Sequence, residues 1–157
     1  MEKEVLEIVS KSWEETFELG KQLAAFLKEK DVIALYGELG SGKTVFAQGI
    51  CSGLDVKDYV TSPSFVLVQE YQGRTKVFHL DFYRLKSPLE VENLDIDSYL
   101  ERNGILIIEW PEIGEVYLPE ERISVTFSKV KEKGEIVITE RLIRVTVPKK
   151  RDLSSLI

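Results

Sequence analysis

The sequence predicts an α/β fold, with a mostly parallel central sheet between helices and an antiparallel extension. Three observations predict it. Val32 to Tyr36 and Ile105 to Ile108 are apolar throughout, as strands covered on both faces are. A glycine-rich segment, Gly37 to Gly42, leads without a gap from the first of these runs into a stretch of helical apolar spacing that carries Phe46, Ala47, Ile50, Cys51 and Leu54. Beyond Pro119, the alternating stretches Arg122 to Val130 and Glu135 to Val147 flank Lys133-Gly134, as the strands of a hairpin do.

The remaining elements follow in order. Val5, Ile8 and Val9 suggest a short first strand, and Ser12 with Glu15 has the capping-box spacing that opens a helix. Its apolar face is Phe17, Leu19, Leu23, Ala24, Phe26 and Leu27, which predicts a helix running to about Lys28. Asp31 to Tyr36 is the buried strand, followed by the glycine loop and its helix. Phe65 to Tyr71 and Lys76 to Phe82 flank the turn Gln72-Gly73-Arg74-Thr75 and predict an antiparallel hairpin. Ser87-Pro88-Leu89-Glu90 has a cap, a proline at the first helical position and an acid at the third, the start of a short helix. Pro148-Lys149-Lys150-Arg151 opens a polar tail, expected to stay loose over about 149–157.

Size and charge narrow the function. A length of 157 residues corresponds to about one domain, so a single domain over 1–157 is expected. With 43% apolar and 31% charged residues the chain has enough core-forming material to exclude global disorder. Its net charge of −6 is opposite to what a phosphate backbone attracts, which disfavours unaided nucleic-acid binding. The longest apolar runs, Val32–Tyr36 and Leu23–Leu27, fall far below the roughly 20 residues that a membrane-spanning helix needs. The N-terminus has no apolar signal-peptide core and the single Cys51 has no partner for an internal disulfide, which points to the cytoplasm.

Gly37-Glu38-Leu39-Gly40-Ser41-Gly42-Lys43-Thr44 fits G-x-x-x-x-G-K-[ST], the phosphate-binding P-loop, and lies between a buried strand and a helix as that motif requires. The predicted fold is therefore a three-layer domain of P-loop NTPase type. Consecutive backbone N–H groups must converge on a triphosphate, which needs glycines that reach positive φ and put no side chain in the way. Glu38, Leu39, Gly40, Ser41, Gly42, Lys43, Thr44 and Val45 are thus the candidate nucleotide-binding residues. The Lys43 ammonium bridges the outer phosphates, the Thr44 hydroxyl ligates Mg2+, and the helix dipole adds to both.

Such a site also needs a carboxylate at the end of a buried strand. Glu109 ends the fully apolar strand and Asp81 ends the run Val77-Phe78-His79-Leu80. Central strands point their carboxyl ends into the ligand crevice, so Glu109 is the better direct metal ligand. Asp81 is the candidate for holding metal-bound water or orienting the attacking water. Thr61-Ser62-Pro63-Ser64-Phe65 lies where switch segments sit, although an ordinary turn leading into the strand reads equally well. Trp13, at the start of the first helix, is a candidate for packing against a nucleotide base, with core packing the stronger reading. Trp110 follows Glu109 and on these residues reads as a tryptophan capping the core at a strand end. His79, the sole histidine, is read as a strand residue positioning the Asp81 loop, and Cys51 as core. Arg84 is open between a phosphate contact and a surface ion pair.

At this point the residues resemble the TsaE family, also called YjeE, the ATPase subunit of the bacterial threonylcarbamoyl-adenosine (t6A) tRNA modification system. The resemblance rests on the P-loop, Thr61-Ser62-Pro63-Ser64-Phe65, His79-Leu80-Asp81-Phe82-Tyr83-Arg84 and Glu109-Trp110-Pro111-Glu112, in that order. It implies an ATPase in which Thr44 and Glu109 coordinate Mg2+, the Thr61 loop is a switch and Asp81 takes part in hydrolysis, with Trp110 near the nucleotide or on the partner surface as the equal alternative to a core cap. It implies work in a complex with two partner subunits, TsaD and TsaB, the first of which transfers the threonylcarbamoyl group. The basic residue expected near the base in the final hairpin stands here as Glu135, with Lys131 and Lys133 nearby.

The sequence thus predicts an ATPase subunit with Lys43, Thr61, Asp81 and Glu109 as catalytic residues and ATP with Mg2+ as cofactors. Its partners are TsaD and TsaB, and tRNA is contacted mainly through them. Placing no obvious arginine finger, the sequence predicts slow turnover alone and faster turnover with partners. The rivals are a small-molecule kinase, whose basic lid the seven scattered arginines do not supply, and a nucleotide-gated binding module in which hydrolysis is incidental.

Overall fold

The computed structural model describes residues 3–148 and 156. In chain order the elements are β1 (Lys3–Ser10), α1 (Trp13–Ala24), β2 (Val32–Gly37), α2 (Lys43–Gly53), β3 (Val68–Gln72), β4 (Lys76–Asp81), α3 (Pro88–Leu94), α4 (Ile96–Glu101), β5 (Ile105–Glu109), a 3-10 helix (Pro111–Tyr117), β6 (Ile123–Glu132) and β7 (Glu135–Pro148). The strands form one sheet in the order β1-β7-β6-β2-β5-β4-β3. β6, β2, β5 and β4 are mutually parallel, and β7, β1 and β3 extend the sheet with antiparallel pairs. The α/β class, the parallel centre and the antiparallel extension stand as the sequence predicts.

β5 is the central strand that its composition demands, with all five residues buried. Ile105 and Ile107 join Leu23, Phe46 and Ile50 in a core beneath α1 and α2, whereas Leu106 and Ile108 join Phe78, Leu80, Val91 and Ile96 beneath α3 and α4. This alternation makes three layers. The parallel register sets Asp81 opposite Glu109, and Glu109 opposite Leu35 of β2, two residues before the glycine loop begins. Both candidate carboxylates and the loop therefore share the carboxyl edge of the sheet.

α1 and α2 approach closely through glycines. A Cβ on Gly49 would lie 2.0 Å from the Phe17 carbonyl oxygen, and one on Gly20 would lie 2.3 Å from that of Phe46. This contact carries the first turn of α1 over the first turn of α2, where the glycine loop ends.

Several local expectations are corrected. α1 ends at Ala24 rather than near Lys28. Phe26 and Leu27 donate to Leu23 and Ala24, tightening the last turn, and Arg74 Nη2 donates to the carbonyls of Ala24 and Leu27 at 2.7 and 3.3 Å. The long-range guanidinium thus satisfies carbonyls that a longer helix would have used. Ser12 caps α1, its Oγ accepting from Glu15 N at 3.1 Å, but Glu15 reaches back to Lys11 N rather than to Ser12 N. The first hairpin strand starts at Val68 instead of Phe65, because Val66 and Leu67 donate to the Pro63 carbonyl and Leu67 takes a φ of 72°. α4 was not foreseen; Asp95, at a φ of 54°, separates it from α3. The loose tail expected over about 149–157 lies outside the described residues apart from Leu156, which is buried in the core beneath α1 and α2.

Candidate functional site

The glycine loop spans the gap between β2 and α2. Gly40 and Gly42 take φ values of 76° and 107°, and nothing lies within 4 Å of where a Cβ on Gly40 would be. Among the described residues no side chain caps α2, so its first-turn N–H groups face the loop cavity with the helix dipole behind them. Lys43 is 5% exposed, its Nζ donating to the Gly37 carbonyl at 2.5 Å and lying 3.1 Å from the centroid of the Trp110 ring. Burial pushes its pKa down to about 8, against the pull of Glu109, Glu112 and Asp81. An ammonium so desolvated gains most from an anion placed beside it.

Glu109 is buried at the mouth of this loop. Its Oε1 accepts from Thr44 Oγ1 at 3.0 Å, while its Oε2 lies 2.7 Å from His79 Nε2. His79 therefore contacts Glu109 rather than steadying the Asp81 loop as expected. The reason is register: His79 faces Ile107 on the neighbouring strand, one pleat deeper on the face that carries Glu109. Asp81 is held separately. Its Oδ2 accepts from Ser62 Oγ and Ser64 Oγ at 3.1 and 2.8 Å, and its Oδ1 accepts from Tyr83 N at 2.8 Å.

Lys43, Thr44, Val45, Asp81, Glu109, Ser62 and Ser64 line one cavity of about 500 Å3 together with Leu39, Gly40, Ser41, Gly42 and Trp13. Thr61 does not line it. It bonds instead to Tyr71, whose phenol burial shifts upward and Thr61 opposes. Ser62 and Ser64, on either side of Pro63, are the residues of that segment the fold turns toward the carboxylates. A second cavity of about 630 Å3 lies on the other side of the loop, lined by Glu38 through Ser41, Phe127 and three cations, Lys129, Lys131 and Arg141. Glu135 lines neither cavity; it pairs with Glu132 at the tip of the hairpin.

Trp13 is 50% exposed, and its ring lies 3.1 Å from the position of a Cβ on Gly42. The stronger sequence reading, core packing, is overturned: the close approach of α1 and α2 sets this ring over the loop. Arg141, which sequence reasoning missed, stands 5.8 Å from the Trp13 ring and donates to the Gly40 carbonyl at 3.4 Å. Its signal lay in hairpin pairing, since it faces Lys129 across β6 and β7. Trp110 sits between Lys43 and Tyr83, whose ring is 4.8 Å away, and its backbone takes the left-handed φ of 55°. Arg84 stacks over Phe65 at 4.1 Å on the cavity rim. Cys51 is buried as core, its thiol pushed up to about 12 by burial.

The donor set fits a magnesium–nucleotide pair better than a resident metal. Among the described residues no group of three or more His, Cys, Asp or Glu converges on one point. Mg2+ is commonly held by one or two carboxylates together with phosphate oxygens, which is what Thr44 and Glu109 beside an anion cradle provide.

Comparison with known proteins identifies the family. The family model described as threonylcarbamoyl adenosine biosynthesis protein TsaE matches residues 10–138. The tRNA threonylcarbamoyladenosine biosynthesis protein TsaE of Bacillus subtilis is 38% identical over 117 residues, covering 74% of this chain and 73% of the relative. That of Treponema pallidum is 34% identical over 118 residues, covering 75% and 87%. The crystal structure of Bacillus subtilis YdiB superposes with a TM-score of 0.81 at 29% identity, covering 99% of this chain and 96% of that one.

Proposed function

The chain belongs to the TsaE family of tRNA t6A biosynthesis, and from that premise we propose that it is an ATPase that binds and hydrolyses Mg-ATP within a complex with TsaD and TsaB. The observation that carries this reading is the Thr44 hydroxyl on the Glu109 carboxylate at 3.0 Å, beside a buried Lys43 at the head of an uncapped helix. A hydroxyl and a carboxylate of this kind, placed between a glycine loop and a buried strand end, are the parts that hold a nucleotide-bound cation.

The chain's own groups divide the work. The loop N–H groups and the Lys43 ammonium bind the phosphates and offset charge that develops on them. Thr44 and Glu109 would hold Mg2+, which supplies further charge neutralisation when bound. Asp81, with both oxygens pinned by Ser62, Ser64 and the Tyr83 amide, orients the attacking water and accepts its proton. Arg141 and Lys131 line the cavity on the other side of the loop, and Trp13, over Gly42 and 5.8 Å from Arg141, stands between the two cavities; together they form the base-side wall.

Most arginines are occupied by the fold. Arg74 caps α1, Arg102 pairs with Glu70 at 2.8 Å, Arg122 bonds Tyr36 and pairs with Glu115, and Arg144 pairs with Glu7. Arg84 on the rim of the carboxylate cavity and Arg141 beside the glycine loop remain, too few for a basic lid, which favours an ATPase subunit over a free-standing kinase, and a partner that adds a group or orders this rim would raise turnover. Among the described residues no helix is long and apolar enough to cross a membrane. A protein that reaches tRNA mainly through its partners agrees with the net charge of −6, and a role in tRNA modification is work of the cytoplasm.

Reconstitution tests this reading. With TsaD, TsaB, tRNA and the threonylcarbamoyl donor present, sustained t6A formation is expected to require this protein and ATP, and to fail with Lys43→Ala. Equal t6A yield without the protein, or with Lys43→Ala, would refute it.

A further inference from the structure

We propose that His79 is a positioning residue for Glu109: it fixes one carboxylate oxygen so that the other faces Thr44 and the cation position. This rests on the metal-site reading above. His79 and Glu109 are 0% and 2% exposed, and His79 Nε2 lies 2.7 Å from Glu109 Oε2 while Thr44 Oγ1 donates to Oε1. The two oxygens thus have different partners, and the carboxylate cannot rotate without breaking one of them.

The other imidazole nitrogen explains why a histidine is there at all. Nδ1 is buried with no hydrogen-bond partner among the described residues. A histidine serving only to fill the core would leave a polar atom unsatisfied that a leucine would not bring. Among the described residues its one polar contact is Glu109. An ionised carboxylate accepts and does not donate, so the His79 nitrogen that faces Glu109, Nε2, is the one that donates. Fixing a ligating carboxylate through its second oxygen orients it and raises metal affinity, commonly by about 10–100-fold.

The arrangement is invisible to spacing along the chain. His79 and Glu109 are 30 positions apart and meet only because β4 and β5 are parallel neighbours with His79 opposite Ile107. Asp81, two residues further along β4, is bound to the serine segment instead, so His79 serves Glu109 and not both carboxylates.

The test uses Mn2+ as the probe cation with a non-hydrolysable ATP analogue, read by electron paramagnetic resonance. His79→Leu is expected to weaken Mn2+ binding by about 10–100-fold. It should leave affinity for the analogue without metal unchanged. His79→Gln, whose amide nitrogen can stand near Nε2, is expected to restore most of the loss. Adding His79→Leu to Glu109→Ala should cost nothing further. Loss of Mn2+ affinity in Glu109→Ala but not in His79→Leu, or equal loss in His79→Gln and His79→Leu, overturns the proposal and leaves the metal site standing. Unchanged affinity in Glu109→Ala overturns the metal-site reading itself and the proposal with it. The unmodified protein gives an independent answer, since its only histidine has a single pair of 15N ring resonances. A proton on Nε2 is expected, and a bare Nε2 overturns the proposal.

Discussion

The Thr44 hydroxyl donates to Glu109 Oε1 at 3.0 Å, joining the first turn of α2 to the end of β5 across 65 positions of sequence. If this pair holds the nucleotide's cation, Thr44→Val, which keeps the shape and removes the ligand, separates metal from nucleotide. The expected result in calorimetric titrations is roughly a tenfold or greater loss of Mg2+-dependent ATP affinity, with metal-free ATP binding retained. Equal losses with and without Mg2+ would contradict it.

Lys43 carries the second prediction. Burial holds its pKa down at about 8, so a charged ammonium in this position is a burden on the protein without nucleotide. Lys43→Met is expected to melt no lower than the unsubstituted protein without nucleotide, yet to lose the upward Tm shift that ATP gives. Scanning calorimetry with and without ATP reads both. A retained ATP shift would remove Lys43 from the phosphate site.

Asp81→Asn keeps an acceptor for Tyr83 N and offers its amide nitrogen to the Ser62 and Ser64 hydroxyls, which can accept, but is a poor base. ATP hydrolysis is expected to fall by about 10²–10⁴-fold while ATP binding persists. Single-turnover phosphate release, paired with a binding titration, separates the two. A loss of binding equal to the loss of rate would make Asp81 a structural anchor for the serine segment.

How much of this was legible depended on whether the information is local. The glycine loop, its flanking strand and helix, and the two strand-end carboxylates are written within short windows of sequence. Where Thr61, Ser62 and Ser64 point is decided by the turn around Pro63, and the fold gives Asp81 the two serines and gives Thr61 to Tyr71. The His79–Glu109 contact needs the β4–β5 register, and Arg141 needs its pairing with Lys129. Trp13 read as core from its place at the head of an amphipathic helix, because nothing local to that helix shows how near α2 comes. The end of α1 was misjudged for the same reason, its last carbonyls being satisfied by Arg74 from a distant turn.

Gly49 tests that interhelical contact. A methyl group there would lie 2.0 Å from the Phe17 carbonyl oxygen, a clash with backbone that no rotamer relieves. Gly49→Ala is expected to destabilise by roughly 1–3 kcal/mol, lowering Tm by about 2–12 °C, and to shift the emission of Trp13. An unchanged Tm would mean that the helices are further apart than described.

Cys51 gives a pH prediction of defined sign. Burial raises its thiol to about 12 from an ordinary 9.0, so between these values the unfolded chain loses a proton that the folded chain keeps. Its contribution to stability is complete below pH 9 and declines as pH rises above it. Cys51→Ala is expected to flatten that decline in denaturant titrations. In the native protein, thiol reagents at pH 8 should label Cys51 only as fast as the chain unfolds.

Lys43, Asp81 and Glu109 are proposed to form an ATP-hydrolysing site that partners complete. The most direct measurement is phosphate release from Mg-ATP by the intact protein and by Glu109→Ala, each alone and with TsaD and TsaB. The account predicts slow release by the intact protein alone, a clear increase with the partners, and loss of both in Glu109→Ala. Hydrolysis that Glu109→Ala leaves intact, or that the partners leave unchanged, would contradict it.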